Sequence, residues 1–134
     1  MKLSTRSRYG LKVCQLLGEE YSSTDKLSLP FIAERLSLSE PYLEQLMSLL
    51  KKDGIVNSVR GAGGGYYLSK SPEDITVGEI MRCLEGGFEF VDCLKNDCDI
   101  GEQCKTKGIW QKLYQGMNEI LDNITLKEMI DEEI

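Results

Sequence analysis

Four glycines within five residues, Gly61-Ala62-Gly63-Gly64-Gly65, constrain this chain more than any other stretch. Such a run has almost no side chain to pack and visits positive φ freely, so it reads as a sharply turned, exposed tip. Its flanks say what it turns between. Ile55-Val56-Asn57-Ser58-Val59 before it and Tyr66-Tyr67-Leu68 after it are rich in β-branched and aromatic residues, the pattern of two antiparallel strands. Upstream lie two short helical patterns. Ser28 caps the first, with Pro30 in the opening turn and Phe31, Ile32 and Leu36 as the buried face. Ser39 caps the second, with Pro41 in its opening turn and Tyr42, Leu43, Leu46, Leu49 and Leu50 turned inward. Lys51-Lys52-Asp53-Gly54 ends it: cations offset the dipole of the last turn and glycine takes the left-handed position beyond. Two helices joined by about three residues and followed at once by a hairpin make a winged helix-turn-helix. The predicted fold is mainly α, with a two-stranded wing and a long C-terminal dimerisation helix.

The remaining elements frame that module. From Ser4 to about Tyr21, apolar positions Tyr9, Val13, Leu16, Leu17 and Tyr21 recur at helical spacing, and residues 22–26 read as a loop. Thr76 and Glu79 form a capping box that opens a helix with Val77, Ile80, Met81 and Leu84 inside, and Gly86-Gly87 stop it. Residues 88–103 carry no period. From Lys105 to about Asp122 a long helix presents Trp110, Leu113, Met117 and Ile120, continued by Ile124, at alternating spacings of three and four. That is a heptad-like seam, expected to pair two copies of the chain. A second capping box, Thr125 with Glu128, opens a short last helix. The expected divisions are residues 1–85 as the DNA-binding module, 86–104 as a cysteine-containing loop, and 105–134 as the dimerisation helix with the short C-terminal helix.

Charge and composition narrow the function. The net charge of −6 is unevenly spread: residues 1–70 hold ten Lys/Arg against seven Asp/Glu, and residues 71–134 hold six against fifteen. Only the front half is suited to a polyanion. The chain has no histidine, which removes Ser-His-Asp and Cys-His catalysis and every His-ligated metal site. The glycine-rich tip joins two strands and no Lys-Ser/Thr follows it, so it is not a phosphate cradle. No enzyme is expected. Neither an apolar run of the ~18 residues that span a bilayer nor the apolar core of an export signal is present, so a cytoplasmic location, away from membranes, is expected.

A recognition helix enters the major groove by its N-terminal end, which needs short or polar side chains, with apolar ones behind to seat it. Ser39, Glu40, Pro41, Tyr42, Glu44 and Gln45 supply the first set, although Tyr42 also suits packing. Gln45 matches the adenine edge and Glu44 can accept from cytosine N4. At the wing tip, with Gly61 and Gly63, Arg60 suits a narrow minor groove. Ser4, Arg6, Arg8, Lys51 and Lys52 are candidate phosphate contacts. The same helix pair and hairpin also occurs as a protein-docking module, which leaves an adaptor as the lesser reading, from another class.

The five cysteines fall into two groups. Cys14 and Cys83 sit among apolar helix positions and read as small buried hydrophobes. Cys93, Cys98 and Cys104 lie within twelve residues of an irregular segment, with gaps too long for the paired cysteines of structural zinc and suited to an iron–sulfur cluster. A dipole at the start of the long helix favours the Cys104 thiolate. Redox-active thiols without a cluster are the other reading. A fourth ligand would come from Asp92, Asp97, Asp99 or Glu102, from elsewhere in the chain or a second subunit, or from an exogenous molecule.

MKLSTRSRYGLK at 1–12, LSEPYLEQLMSLLKKDGIVNSVRGAGGGYYLSK at 38–70, TVGEI at 76–80, the cysteine trio and NITLKEM at 123–129 together resemble the IscR/NsrR/CymR group of bacterial winged-helix regulators, the Rrf-type family, and most of all its IscR branch. The resemblance implies a homodimeric transcription factor whose long helices pair while its winged modules bind a near-palindromic double-stranded operator. It implies a cluster on Cys93, Cys98 and Cys104, [2Fe-2S] in preference to [4Fe-4S], that reports cluster status, redox state or nitric oxide. The histidine that completes the site in IscR-like members is Lys107 here, and the partner-subunit aspartate of NsrR-like members is Arg8. Glu44 and Gln45 match the family's recognition pair and Arg60 its wing arginine, while Pro41 replaces a small polar residue. A CymR-like repressor of sulfur or cysteine metabolism, free of cluster and controlled by a protein partner or thiol oxidation, is the alternative within the family.

Overall fold

The computed structural model describes residues 2–21, 26–88, 94 and 104–134. Helix α1 (Thr5–Glu19) is followed by α2 (Leu29–Leu36) and α3 (Glu40–Lys52), the two helices of the helix-turn-helix. Both are capped as their sequences dictate: Ser28 and Ser39 accept from the backbone N–H of Phe31 and Tyr42, each at 3.3 Å, with a proline in the first turn. Between them Ser37 adopts left-handed backbone, φ 54°, and Leu38 N–H bonds back to Ala33, turning the chain from one helix to the next. The wing is β1 (Val56–Val59) antiparallel to β2 (Gly65–Leu68), with Val56 opposite Leu68 and Val59 opposite Gly65. Leu27 pairs with Tyr66 on the other side through bonds of 2.8 and 3.1 Å, an extra rung that the sequence reading missed. Gly65 permits it, because a Cβ there would overlap the Leu27 carbonyl.

Helix α4 (Val77–Glu85) opens on the predicted capping box, and left-handed Gly86 ends it. Helix α5 (Lys107–Asp122) starts two residues later than expected, and α6 (Leu126–Ile130) carries the second capping box. The main core joins Val13, Leu17, Ile32, Leu43, Leu46, Leu50, Val56, Ile80 and Leu84 with Leu126 of α6. Met47, 1% exposed, belongs to it as well and was not foreseen. A second cluster sets Val77, Met81 and Phe88 against Met117, Leu121 and Ile124 of the α5 region. Among the described residues no helix is long and apolar enough to cross a membrane.

Three expectations change. Tyr21 lies past the end of α1 and is 44% exposed, so it is not on the buried face. Phe31 is 41% exposed: α2 turns Ile32 and Ala33 inward, which leaves the neighbouring ring outside beneath the Arg35 guanidinium at 5.8 Å. The expected α5 seam divides. Met117 and Ile124 pack on their own chain, whereas Ile109 (57%), Leu113 (51%) and Ile120 (64%) stay exposed.

Candidate nucleic-acid interface

The N-terminal turns of α1 and α3 lie side by side because Tyr42 joins them. Its ring meets Tyr9 edge-on, centroids 6.1 Å apart and planes at 87°, and its hydroxyl lies 3.4 Å from Thr5 Oγ1. Tyr42 is therefore half-buried and serves packing before base contact, and the role of Thr5 was not anticipated. Around this joint Arg6 and Arg8 on α1, and Pro41, Glu44 and Gln45 on α3, are all exposed, their backbones fixed by the buried Leu43, Leu46 and Leu50 behind. Lys12 stands over the Tyr9 ring at 5.4 Å and extends the basic edge.

Recognition helix and wing are also tied. Lys51 Nζ donates to Ser58 Oγ at 2.7 Å, so the last turn of α3 grips β1. The tip beyond is open: Arg60, Gly61 and Gly63 are exposed, the glycines at φ 95° and 79°. Ser39 spends its hydroxyl on the α3 cap. Ser4, expected to meet phosphate, instead donates its N–H and hydroxyl to Glu85 Oε1 at 2.8 and 2.7 Å, and Ser7 adds a third bond at 2.6 Å. Burial alone would raise the Glu85 carboxyl, but the hydroxyls of Ser7 and Ser4, the Ser4 N–H and the charge of Arg6 together hold it below the ordinary glutamate value. The end of α4 thereby clamps the first turn of α1. No sequence signal links positions 81 residues apart.

Of the cysteine trio, Cys93 and Cys98 lie outside the described residues, as do Asp92, Asp97, Asp99 and Glu102. Cys104 is half-exposed just ahead of α5, its Sγ 3.2 Å from Thr106 Oγ1. The Thr106 hydroxyl, then its backbone N–H, with the Lys107 N–H and ammonium behind, lower the thiol below its ordinary value. A thiolate is the form that binds iron, so this donor fits a cluster ligand. Among the described residues no three Cys, Asp or Glu side chains gather as a metal site. Cys14 is fully buried, and desolvation, with Cys83 nearby, pushes its thiol up to about 12. Cys83, expected to be buried, is only half so; burial and then Asp53 push it up to about 12, and its Sγ donates to the Leu49 carbonyl at 3.2 Å.

Comparison with known proteins bears on the family and the fold. The family model Rrf2, described as an iron-dependent transcriptional regulator, matches residues 3–132. The chain is 40% identical over 129 residues to the HTH-type transcriptional regulator CymR of Bacillus subtilis (strain 168), covering 96% of this chain and 89% of that protein. The solved structure of T. potens IscR matches with a TM-score of 0.77 at 43% identity, covering 100% of this chain and 89% of the other. That of CymR (YrzC), the global cysteine regulator of B. subtilis, matches with a TM-score of 0.82 at 38% identity, covering 98% of each chain.

Proposed function

Since this chain belongs to the Rrf2 family of DNA-binding transcriptional regulators, which are not enzymes, we propose that it acts as a homodimer on a near-palindromic operator and that Cys93, Cys98 and Cys104 tune its affinity by holding an iron–sulfur cluster, [2Fe-2S] by resemblance. Glu44 and Gln45 read base edges, Arg60 enters the minor groove, and Arg6 and Arg8 meet phosphates. The observation that carries the sensing half is Cys104, whose thiol is biased toward the anion by Thr106 and the start of α5. A bound cluster supplies a centre that oxidants and nitric oxide can destroy. The chain's own contribution is a mechanical link: the cysteine segment follows Gly86-Gly87 directly, and the preceding Glu85 holds the N-terminal turn of α1 beside Arg6 and Arg8. To regulate, the coupling must be worth ~1–3 kcal/mol, about 5–150-fold in operator affinity.

The test is anaerobic purification with iron and sulfide quantification and a visible spectrum. Coloured protein that loses its absorbance in Cys98→Ala supports the ligand set; iron and sulfide unchanged by the substitution contradict it. The second reading, a CymR-like repressor without a cluster, is favoured by Lys107, which stands where the resemblance places a ligating histidine. Colourless anaerobic protein that binds its operator equally well with all three cysteines replaced would establish that reading instead.

A further inference from the structure

Arg82 projects from α4 and reaches two successive turns of α5. Its Nη1 donates to Asn118 Oδ1 at 2.8 Å and its Nη2 to Asp122 Oδ1. Asn118 is itself anchored, its Nδ2 donating to the Tyr114 carbonyl at 2.8 Å. Buried Gly78, one turn earlier on α4, completes the joint: a Cβ there would overlap Asp122 Oδ1 and come within 3.2 Å of Arg82 Nη1. A side chain at this position would push the aspartate carboxylate aside.

This contact lies outside the recognition surface, and with 34% of its side chain exposed Arg82 adds little to stability. Its geometry is the informative part. A planar fork gripping residues four apart fixes both the tilt and the rotation of α5 against α4. Helix α5 thus has two faces. Met117, Asn118, Leu121 and Asp122 belong to its own chain, while Ile109, Leu113 and Ile120 are free.

We propose that Arg82 is a positioning residue for operator choice: by locking α5 to α4 through Asn118 and Asp122, it sets the separation of the two half-sites that the dimer accepts. The inference rests on the dimeric reading above, with the free face of α5 as the contact between copies. Each recognition helix is then carried at a fixed angle to the shared axis. A tilt of about 10° along a sixteen-residue helix, about 24 Å long, moves its far end by about 4 Å, more than the ~3.4 Å rise of one base pair. Small errors at this joint therefore become whole base-pair errors at the DNA.

The experiment starts from a randomised duplex pool, from which the parent protein selects its inverted repeat. Synthetic duplexes then separate the two halves by one or two base pairs more or fewer. The parent should discriminate against a one-base-pair change by about tenfold or more, and Arg82→Met should reduce that to within about threefold or shift the optimum by about one base pair. Gly78→Ala, which displaces Asp122 from the other side, should behave alike, and Arg82→Lys should lie between. Sedimentation and thermal melting identify variants that remain folded dimers. A folded dimeric Arg82→Met with the parent's optimum and discrimination overturns this inference and leaves the dimeric reading standing. A parent that binds as a monomer, indifferent to separation, overturns both.

Discussion

Replacing Leu113 and Ile120 together with alanine tests which face of α5 joins two copies. Both side chains are more than half exposed, Leu113 at 51% and Ile120 at 64%, on the side turned away from α4. Full burial of such a side chain is worth about 1.5–3 kcal/mol, so the area still free on each represents about 1 kcal/mol. A symmetric dimer uses both residues twice, giving about 4 kcal/mol lost and a dissociation constant raised about a thousandfold. Alanine keeps the helix and removes little that the monomer uses, so the melting temperature measured on monomer should barely move. Sedimentation equilibrium across a dilution series is the assay. Met117→Ala is the matched control: its side chain packs on Val77, Met81 and Phe88, so it should lower folding stability by about 2 kcal/mol or more with less effect on the dimer. A double variant that dimerises as tightly as the parent, or a Met117→Ala that alone splits the dimer at unchanged folding stability, would refute the assignment of faces.

Two further outcomes follow from single side chains. Arg60→Ala should weaken operator binding and lower the slope of log affinity against log salt by about 0.9, the signature of one lost phosphate-proximal charge; equal slopes would remove the wing from the interface. Glu85 has its carboxyl held below the ordinary value of 4.5, so its contribution to stability is complete above that value and is lost as pH falls through it toward the folded-state value. Urea midpoints of parent and Glu85→Gln should therefore differ most above 4.5 and draw together as pH falls progressively below it; a gap that stays constant into acid would mean that shape, not charge, holds the α1 turn.

What the sequence made legible was local. Ser28, Ser39, Thr76 and Thr125 cap helices by bonds to residues three positions on, so identity and spacing alone reveal them. The wing was legible for the same reason, since its glycines and alternating flanks lie within fourteen residues, Ile55 to Leu68. Seams are different. A three-four repeat says which residues share a stripe, but the α5 stripe is wide enough to serve two neighbours, and periodicity carries no information about where α4 will lie. Hence periodicity groups Met117 with Leu113 and Ile120 although it faces its own chain.

The polar contacts that position the interface were the least legible, for a physical reason. Nothing in the sequence pairs Ser4, Arg82 and Lys51 with Glu85, Asp122 and Ser58, which the fold sets before them across separations of 81, 40 and 7 residues. Each such bond is worth about 1 kcal/mol net, too little to direct folding. Apolar burial directs the fold, and the bonds then select among nearly equal arrangements of the packed elements. That division explains why the architecture could be read in advance and the orientation of its parts could not. In a DNA-binding regulator the orientation is what a signal must change: joints of about 1 kcal/mol can be shifted within the ~1–3 kcal/mol that regulation requires, whereas a core built on Leu43, Leu46 and Leu50 cannot.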